Sequence, residues 1–214
     1  MSTREMATAL STAGEHRLKH APLLRGNSAT TAYHLDWVRC AECLSDEDCD
    51  DIIAACGEFP PSSPSTVGED RYPAHRRAST TKIGLNVRTS WIFDLLCSIA
   101  QQAAATAYGL DLTTINRAPQ YVEYRPGWGQ FDWHNDYSHG TEEAPRKLTI
   151  IIQLSNSGEY EGGRLQLFGP ELEDLPNQRG SIMAFPSILY HRVTPVSRGV
   201  RRALVAWVAG PRIR

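Results

Sequence analysis

Residues 181–208 read SIMAFPSILYHRVTPVSRGVRRALVAWV, and the way this run alternates decides the fold. It divides into Ser181 to Phe185, Tyr190 to Thr194 and Arg201 to Val208, with Pro186, Pro195 and Gly199 between them. Each piece is short, rich in β-branched and aromatic residues and bounded by turn formers, which is the pattern of a strand rather than a helix. In the last piece Arg201, Ala203, Val205 and Trp207 fall on one face, because side chains two apart on a strand point the same way.

The same grammar extends upstream through Gln120 to Arg125, Gln130 to Asp136, Leu148 to Leu154 and Arg164 to Phe168. Seven or more short strands predict a mainly β sandwich or jelly roll, with helices packed outside as support. Two helices are expected. Ser45-x-x-Asp48 and the acidic run Asp46 to Asp48 open the first, Cys49, Ile52, Ile53 and Cys56 share a face, and Gly57 stops it. The second runs from Trp91 to Tyr108, with Trp91, Leu95, Ile99 and Ala103 on nearby positions and Gly109 at its end. Lys82 to Arg88, alternating through Ile83, Leu85 and Val87, reads as a further strand.

Residues 1–32 have no sustained period and are expected to form a flexible extension. Residues 60–80, PPSSPSTVGEDRYPAHRRAST, form a Pro/Ser-rich loop long enough to be a lid candidate. A net charge of -2 gives no footprint for nucleic-acid or anionic-membrane binding. No apolar run reaches the length of a membrane span, and the start lacks a secretory signal, so the expectation is an intracellular, cytoplasmic protein. Of the five cysteines, Cys40, Cys43, Cys49 and Cys56 crowd one region, as zinc ligands would. No second Cys-x-x-Cys follows, and the helical spacing of Cys49 and Cys56 favours buried thiols.

His134-x-Asp136 places an imidazole and a carboxylate on one strand face. Alone, such a pair is common, and His191 by itself reads better as a satisfied core or edge histidine. Together, two histidines and a carboxylate form a facial triad that leaves open positions on iron(II). Ten residues past His191, Arg201 points the same way as a row of apolar side chains. An inward guanidinium calls for an anion, and its planar fork suits a carboxylate. Arg202, on the opposite face, is the solvated counterpart.

YVEYRPGWGQFDWHNDY, RKLTIIIQLSN, YEGGRLQLF, RGSIMAFPSILYHRVTPVSRGVRRALVAW and the terminal GPRIR follow one another from residue 121 to 214. With LSDEDCDDIIAAC and WIFDLLCSIAQQAAATA upstream, the chain resembles the 2-oxoglutarate and iron(II)-dependent oxygenases of the prolyl-4-hydroxylase-like group, including the PKHD-type hydroxylases. The resemblance implies a double-stranded β-helix (a cupin-like jelly roll) with supporting N-terminal helices, forming one dioxygenase domain over residues 33–214. It implies Fe(II) held by His134, Asp136 and His191, with 2-oxoglutarate and O2 as cosubstrates. It carries the partner of the 2-oxoglutarate C5-carboxylate onto Arg201, with Tyr124 beside it, and places Thr149 and Gln153 on a strand that lines the cosubstrate pocket. A carboxylate at Asp136 implies hydroxylation, because related halogenases have a small residue there.

The substrates implied are prolyl residues of proteins or peptides, free amino acids or other small molecules. Trp133, Tyr137 and His139 flank the ligands on what is expected to be the substrate side. Arg76 and Arg77 are candidates to grip an acidic substrate, or are a solvated pair. Two other readings stay open: the same chemistry on alkylated nucleic acid, and a non-catalytic jelly-roll binding module.

Overall fold

A computed structural model of the chain describes residues 24–25, 37–40, 43–61, 76–115, 117–127, 129–137, 144–169 and 172–211. The expected extension apart from Leu24–Arg25, which pair with Val38 and Arg39 as a short strand, and most of the expected lid loop, together with His139, lie outside these residues. In chain order come β1 (Leu24–Arg25), β2 (Val38–Cys40), helix α1 (Asp46–Gly57), β3 (Arg76–Arg77), β4 (Ser79–Lys82) and helix α2 (Ser90–Ala103). There follow β5 (Gln120–Tyr124), β6 (Gln130–His134), β7 (Arg146–Gln153), β8 (Tyr160–Gly162), β9 (Leu165–Leu167) and β10 (Glu173–Asp174). The chain ends in β11 (Ile182–Pro186), β12 (His191–Val193), β13 (Val196–Gly199) and β14 (Arg201–Ala209).

Antiparallel pairing builds a larger sheet in the order β1-β2-β11-β7-β14-β5-β4 and a smaller one in the order β10-β9-β12-β6-β3, with β8 and β13 as a separate pair. The seven strands expected between Gln120 and Val208 are all present within a residue or two of their expected ends. In β7, Leu148, Ile150 and Ile152 join Leu204, Ala206 and Val208 of β14 in a core beneath the two helices. On the other face Ile151 and Ala203 pack with Leu165, Leu167 and Val193 of the smaller sheet. The central strands are therefore buried on both sides, which is why β7 carries three consecutive isoleucines, Ile150–Ile152, in place of strict alternation.

Helix α1 begins as its sequence dictates. The Ser45 hydroxyl accepts the N–H of Asp48 at 3.1 Å, and the Asp48 carboxylate accepts the N–H of Ser45 at 3.0 Å. Cys49, Ile52 and Cys56 are buried beneath it. Cys40 and Cys43 are joined as a disulfide, whereas Cys49 and Cys56 are free. Helix α2 buries Ile92, Leu95, Leu96, Ile99, Ala100 and Ala103, continues as a π-helical turn over Ala104–Tyr108, and ends on Gly109 at φ 55°.

One expected strand is displaced. The paired residues are Ser79–Lys82, not Lys82 to Arg88, and Leu85 and Val87 are exposed. Asn86 is the reason: its side-chain oxygen accepts the N–H groups of Arg88 at 2.8 Å and Thr89 at 3.1 Å, drawing the backbone into a turn. No helix among the described residues is long and apolar enough to cross a membrane, which says nothing about strands.

Candidate metal and cosubstrate site

The inward face of the larger sheet is set by the registers of β5 and β14. Arg201 pairs with Tyr124, Ala203 with Val122 and Val205 with Gln120, so these residues form rows across the two strands. Trp207 continues the row and pairs with Thr149 of β7.

Opposite lies β6, which is not regular. His191 of β12 pairs with His134, but Val193 pairs with Phe131, so two residues of β6 face one of β12. This bulge shifts the alternation by one. Phe131 and His134 both turn inward and stack at 3.4 Å between ring centroids. Trp133 is displaced from the cavity lining, packing edge-on against Phe168 at 5.6 Å with the Arg192 guanidinium 4.6 Å from its ring.

His134, Asp136 and His191 converge, each offering a ligand atom within 4.8 Å of the others. Nε2 of His191 is 3.4 Å from one Asp136 oxygen, and Nε2 of His134 is 3.9 Å from the other. Each Nδ1 lies against a backbone carbonyl, Asp132 O at 2.6 Å for His134 and Leu189 O at 3.0 Å for His191. A carbonyl can only accept, so Nδ1 carries the proton and Nε2 presents its lone pair to the centre. Burial, with the nearby His191, lowers the pKa of His134 and keeps its imidazole neutral, as a ligand must be.

Asp136 is buried and held from two sides. Its N–H donates to Ser187 O at 2.9 Å, and its Oδ2 accepts the Thr149 hydroxyl at 2.9 Å; that hydroxyl also lies 3.0 Å from Ser187 Oγ. Burial raises the carboxyl pKa, but the charge that His191 and His134 can carry, with the Trp207 indole N–H and the Thr149 hydrogen bond, outweighs it and holds the pKa below the ordinary value. Two imidazoles turning Nε2 to the centre and one carboxylate in this arrangement suit Fe(II).

A narrow cleft runs from these ligands to Arg201. Arg201 is 3% exposed, and no carboxylate among the described residues pairs with it; its guanidinium carbon lies 5.5 Å from the centre of the Tyr124 ring. Burial raises the Tyr124 pKa, so the phenol stays a neutral donor. Gly163 leaves the space that Arg201 occupies: a Cβ there would stand 3.1 Å from Arg201 Cδ and 2.9 Å from Val196 Cγ2. A buried guanidinium without a counter-ion fits a site for an organic carboxylate.

The other candidates from the sequence are distributed differently. Thr149 braces Asp136 and does not line the cleft, while Gln153 is fully buried, its Nε2 bonded to Ser155 O at 3.0 Å and Tyr160 Oη at 3.1 Å. Its Oε1 has no hydrogen-bond partner. Tyr137 donates its N–H to Ser187 O and is absent from the lining. Arg76 lines the cleft, and Arg77 is exposed. The roles of Ser187, Phe131 and Gly163 depend on pairings far away in sequence and have no local signal.

Residues 119–209 match the family model of the 2OG-Fe(II) oxygenase superfamily. A PKHD-type hydroxylase of Acidovorax ebreus is 32% identical over 96 residues, which is 42% of each chain, so the match spans less than half of that relative. Among solved structures, a Pseudomonas putida prolyl-4-hydroxylase superposes with a TM-score of 0.64 at 17% identity, covering 95% of this chain and 100% of that one. A prolyl hydroxylase from Trichoplax adhaerens, in complex with a hypoxia inducible factor peptide fragment, gives 0.67 at 12% identity, covering 98% and 94%. At these identities the structural likeness shows the fold, a double-stranded β-helix. Residues 119–209, with the His-Asp-His centre inside them, are thus similar to the 2OG-Fe(II) oxygenase superfamily and, over less than half of their length, to PKHD-type hydroxylases.

Proposed function

We propose that the protein is a dioxygenase of the cytoplasm that hydroxylates an unactivated C–H bond of an amino acid or a peptidyl residue, prolyl first, while 2-oxoglutarate is converted to succinate. The observation that carries this reading is one cleft with a ligand triad at one end and a buried guanidinium without a carboxylate partner at the other. Nε2 of His134, Nε2 of His191 and the Asp136 carboxylate would hold Fe(II), and Arg201 with Tyr124 would hold the far carboxylate of 2-oxoglutarate. When bound, iron(II) and 2-oxoglutarate supply the oxidising chemistry, splitting O2 between succinate and the hydroxylated product, with loss of carbon dioxide.

The chain's own residues bind and orient. The carbonyls of Asp132 and Leu189 fix both imidazole tautomers before any metal arrives, the Thr149 hydroxyl holds the Asp136 carboxylate, and the Ser187 carbonyl holds the Asp136 backbone. Val122, Ile151, Ala203 and Val205 line the middle of the cleft and keep it dry, which strengthens each polar contact at its ends. The superposition on prolyl hydroxylases supports amino acids and peptides as the first substrates to try.

The test is succinate formation from 2-oxoglutarate in the presence of Fe(II), with and without a panel of free amino acids and prolyl peptides. Fe(II)-dependent succinate in the parent, lost in Asp136→Ala together with iron, is expected. Equal iron content and turnover in that variant would refute the ligand assignment. No turnover under any condition would leave a binding module instead.

A further inference from the structure

We infer that the substrate carries a carboxylate and that Arg76 is the residue that binds it; this rests on the oxygenase reading above and names its substrate class. Arg76 stands on β3, the edge strand of the smaller sheet, with its Cα paired to Phe131, and it lines the same cleft as His134, Asp136 and His191. Its guanidinium carbon is 4.8 Å from the centre of the Phe131 ring, and one terminal nitrogen donates to Gln120 Oε1 at 2.9 Å. Its Nε is buried with no hydrogen-bond partner, and no carboxylate among the described residues forms an ion pair with it. A guanidinium resting on a ring keeps its N–H edge in plane and available, the geometry for a two-point grip on a carboxylate.

This is not the site already assigned to 2-oxoglutarate. Arg76 reaches Gln120 at one end of β5, whereas Arg201 pairs with Tyr124 at the other. Four residues of strand put roughly 13 Å between the backbone at those two ends, although the two side chains share one cleft and the Arg76 charge is still felt at the Tyr124 hydroxyl. One carboxylate of 2-oxoglutarate is taken by Arg201 and the other belongs at the metal. Among the lining residues and their ligands, Fe(II), Arg76 and Arg201 together exceed Asp136 and the 2-oxoglutarate dianion by one positive charge. A substrate carboxylate placed at Arg76 supplies the counter-ion locally, whatever charge the rest of the substrate carries, while a substrate without one leaves a partly buried guanidinium unpaired, an unfavourable state. Arg77 sits on the next position of the strand and is exposed, so it serves as the internal control.

Succinate formation is measured with Fe(II) and 2-oxoglutarate across matched pairs of probes: free amino acids against their carboxamides, and prolyl peptides with a free C-terminus against the same peptides amidated. In the parent, the acid of a productive pair should exceed its amide in kcat/KM by roughly ten- to a hundredfold, the worth of a charge-assisted hydrogen bond. Arg76→Gln should bring this preference close to unity, Arg76→Lys should retain part of it, and Arg77→Gln should keep the parent's value. Which pairs respond separates a free amino acid from a peptide end.

An amide used as well as its acid overturns the inference, as does a preference that survives Arg76→Gln. Stimulation by neither member of any pair, while substrate-free succinate formation proceeds, also overturns it. So does a 2-oxoglutarate KM that rises in Arg76→Gln as much as the substrate KM, which would assign Arg76 to the cosubstrate. If Arg76→Gln does not fold, the parent's preference and Arg76→Lys still decide. Absence of any Fe(II)-dependent turnover in the parent removes the oxygenase reading itself, and this inference with it.

Discussion

Replacing Arg201 by lysine keeps a positive charge on β14 and removes the planar fork. Arg201 is 3% exposed, so solvent screens little of what its side chain does. A lysine presents a point charge, so on the proposed reading one of the two charge-assisted hydrogen bonds to the 2-oxoglutarate carboxylate would be lost. Such a bond is worth roughly 1.5 to 3 kcal/mol, which corresponds to about ten- to a hundredfold in affinity. The adjacent Arg202→Lys is the control. Its Nε donates to Glu123 Oε1 at 3.1 Å on the outer face, and its side chain is 32% exposed. A partly exposed pair of that kind contributes on the order of 1 kcal/mol or less to stability and nothing to the cleft. The assay is the 2-oxoglutarate dependence of succinate formation for both variants beside the parent. A large rise in KM for Arg202→Lys with none for Arg201→Lys would show that the strand presents its other face to the cosubstrate.

Three further expectations follow from the site. Thr149→Val removes the hydroxyl from Asp136 Oδ2 and should weaken iron binding by roughly ten- to a hundredfold, read by metal titration; unchanged affinity would mean that the Thr149 hydroxyl does not orient the carboxylate. Gly163→Ala puts a Cβ against Arg201 Cδ and Val196 Cγ2 at φ +57°, and should lower stability by about 1–2 kcal/mol while raising the 2-oxoglutarate KM. A stability loss with an unchanged KM would detach Gly163 from the cosubstrate end.

The third concerns acid. The fold holds His134 neutral, so below about pH 6.5 the unfolded chain binds a proton that the native one does not. The metal-free protein should therefore lose stability as pH falls through that value, by up to about 1.4 kcal/mol per unit from this residue. Denaturation from pH 7.5 to 5 should show a shallower slope in His134→Gln, and equal slopes would refute the assignment.

The inward face of β14 is legible in the sequence because alternation is a property of a single strand. Arg201, Ala203, Val205 and Trp207 declare it without reference to any neighbour. The position of Trp133 is not, because the bulge that displaces it is defined only by what β12 pairs with. Thr149 looks like any polar strand residue until β7 is laid beside the turn holding Asp136. Lys82 to Arg88 alternates as a strand should, and the difference lies in one side-chain oxygen, that of Asn86, capturing two backbone donors. Arg76 and Arg77 stand at the end of a Pro/Ser-rich stretch with no period, so only the pairing of β3 with β6 shows which one enters the cleft.

The extra residue in β6 separates two properties that a regular ladder would tie together. The backbone pairing of β6 with β12 asks only for extended chain on both sides, and it would be satisfied at least as well without the irregularity. The inward placement of both Phe131 and His134, an odd number of positions apart, exists only because of it. A deletion of one residue at Asp132 or Trp133 would thus leave the sheet able to close while turning either the metal ligand or the ring beneath Arg76 to the outside. Chain length at this point is therefore under a chemical constraint, set by the cleft, that the stability of the sheet does not impose.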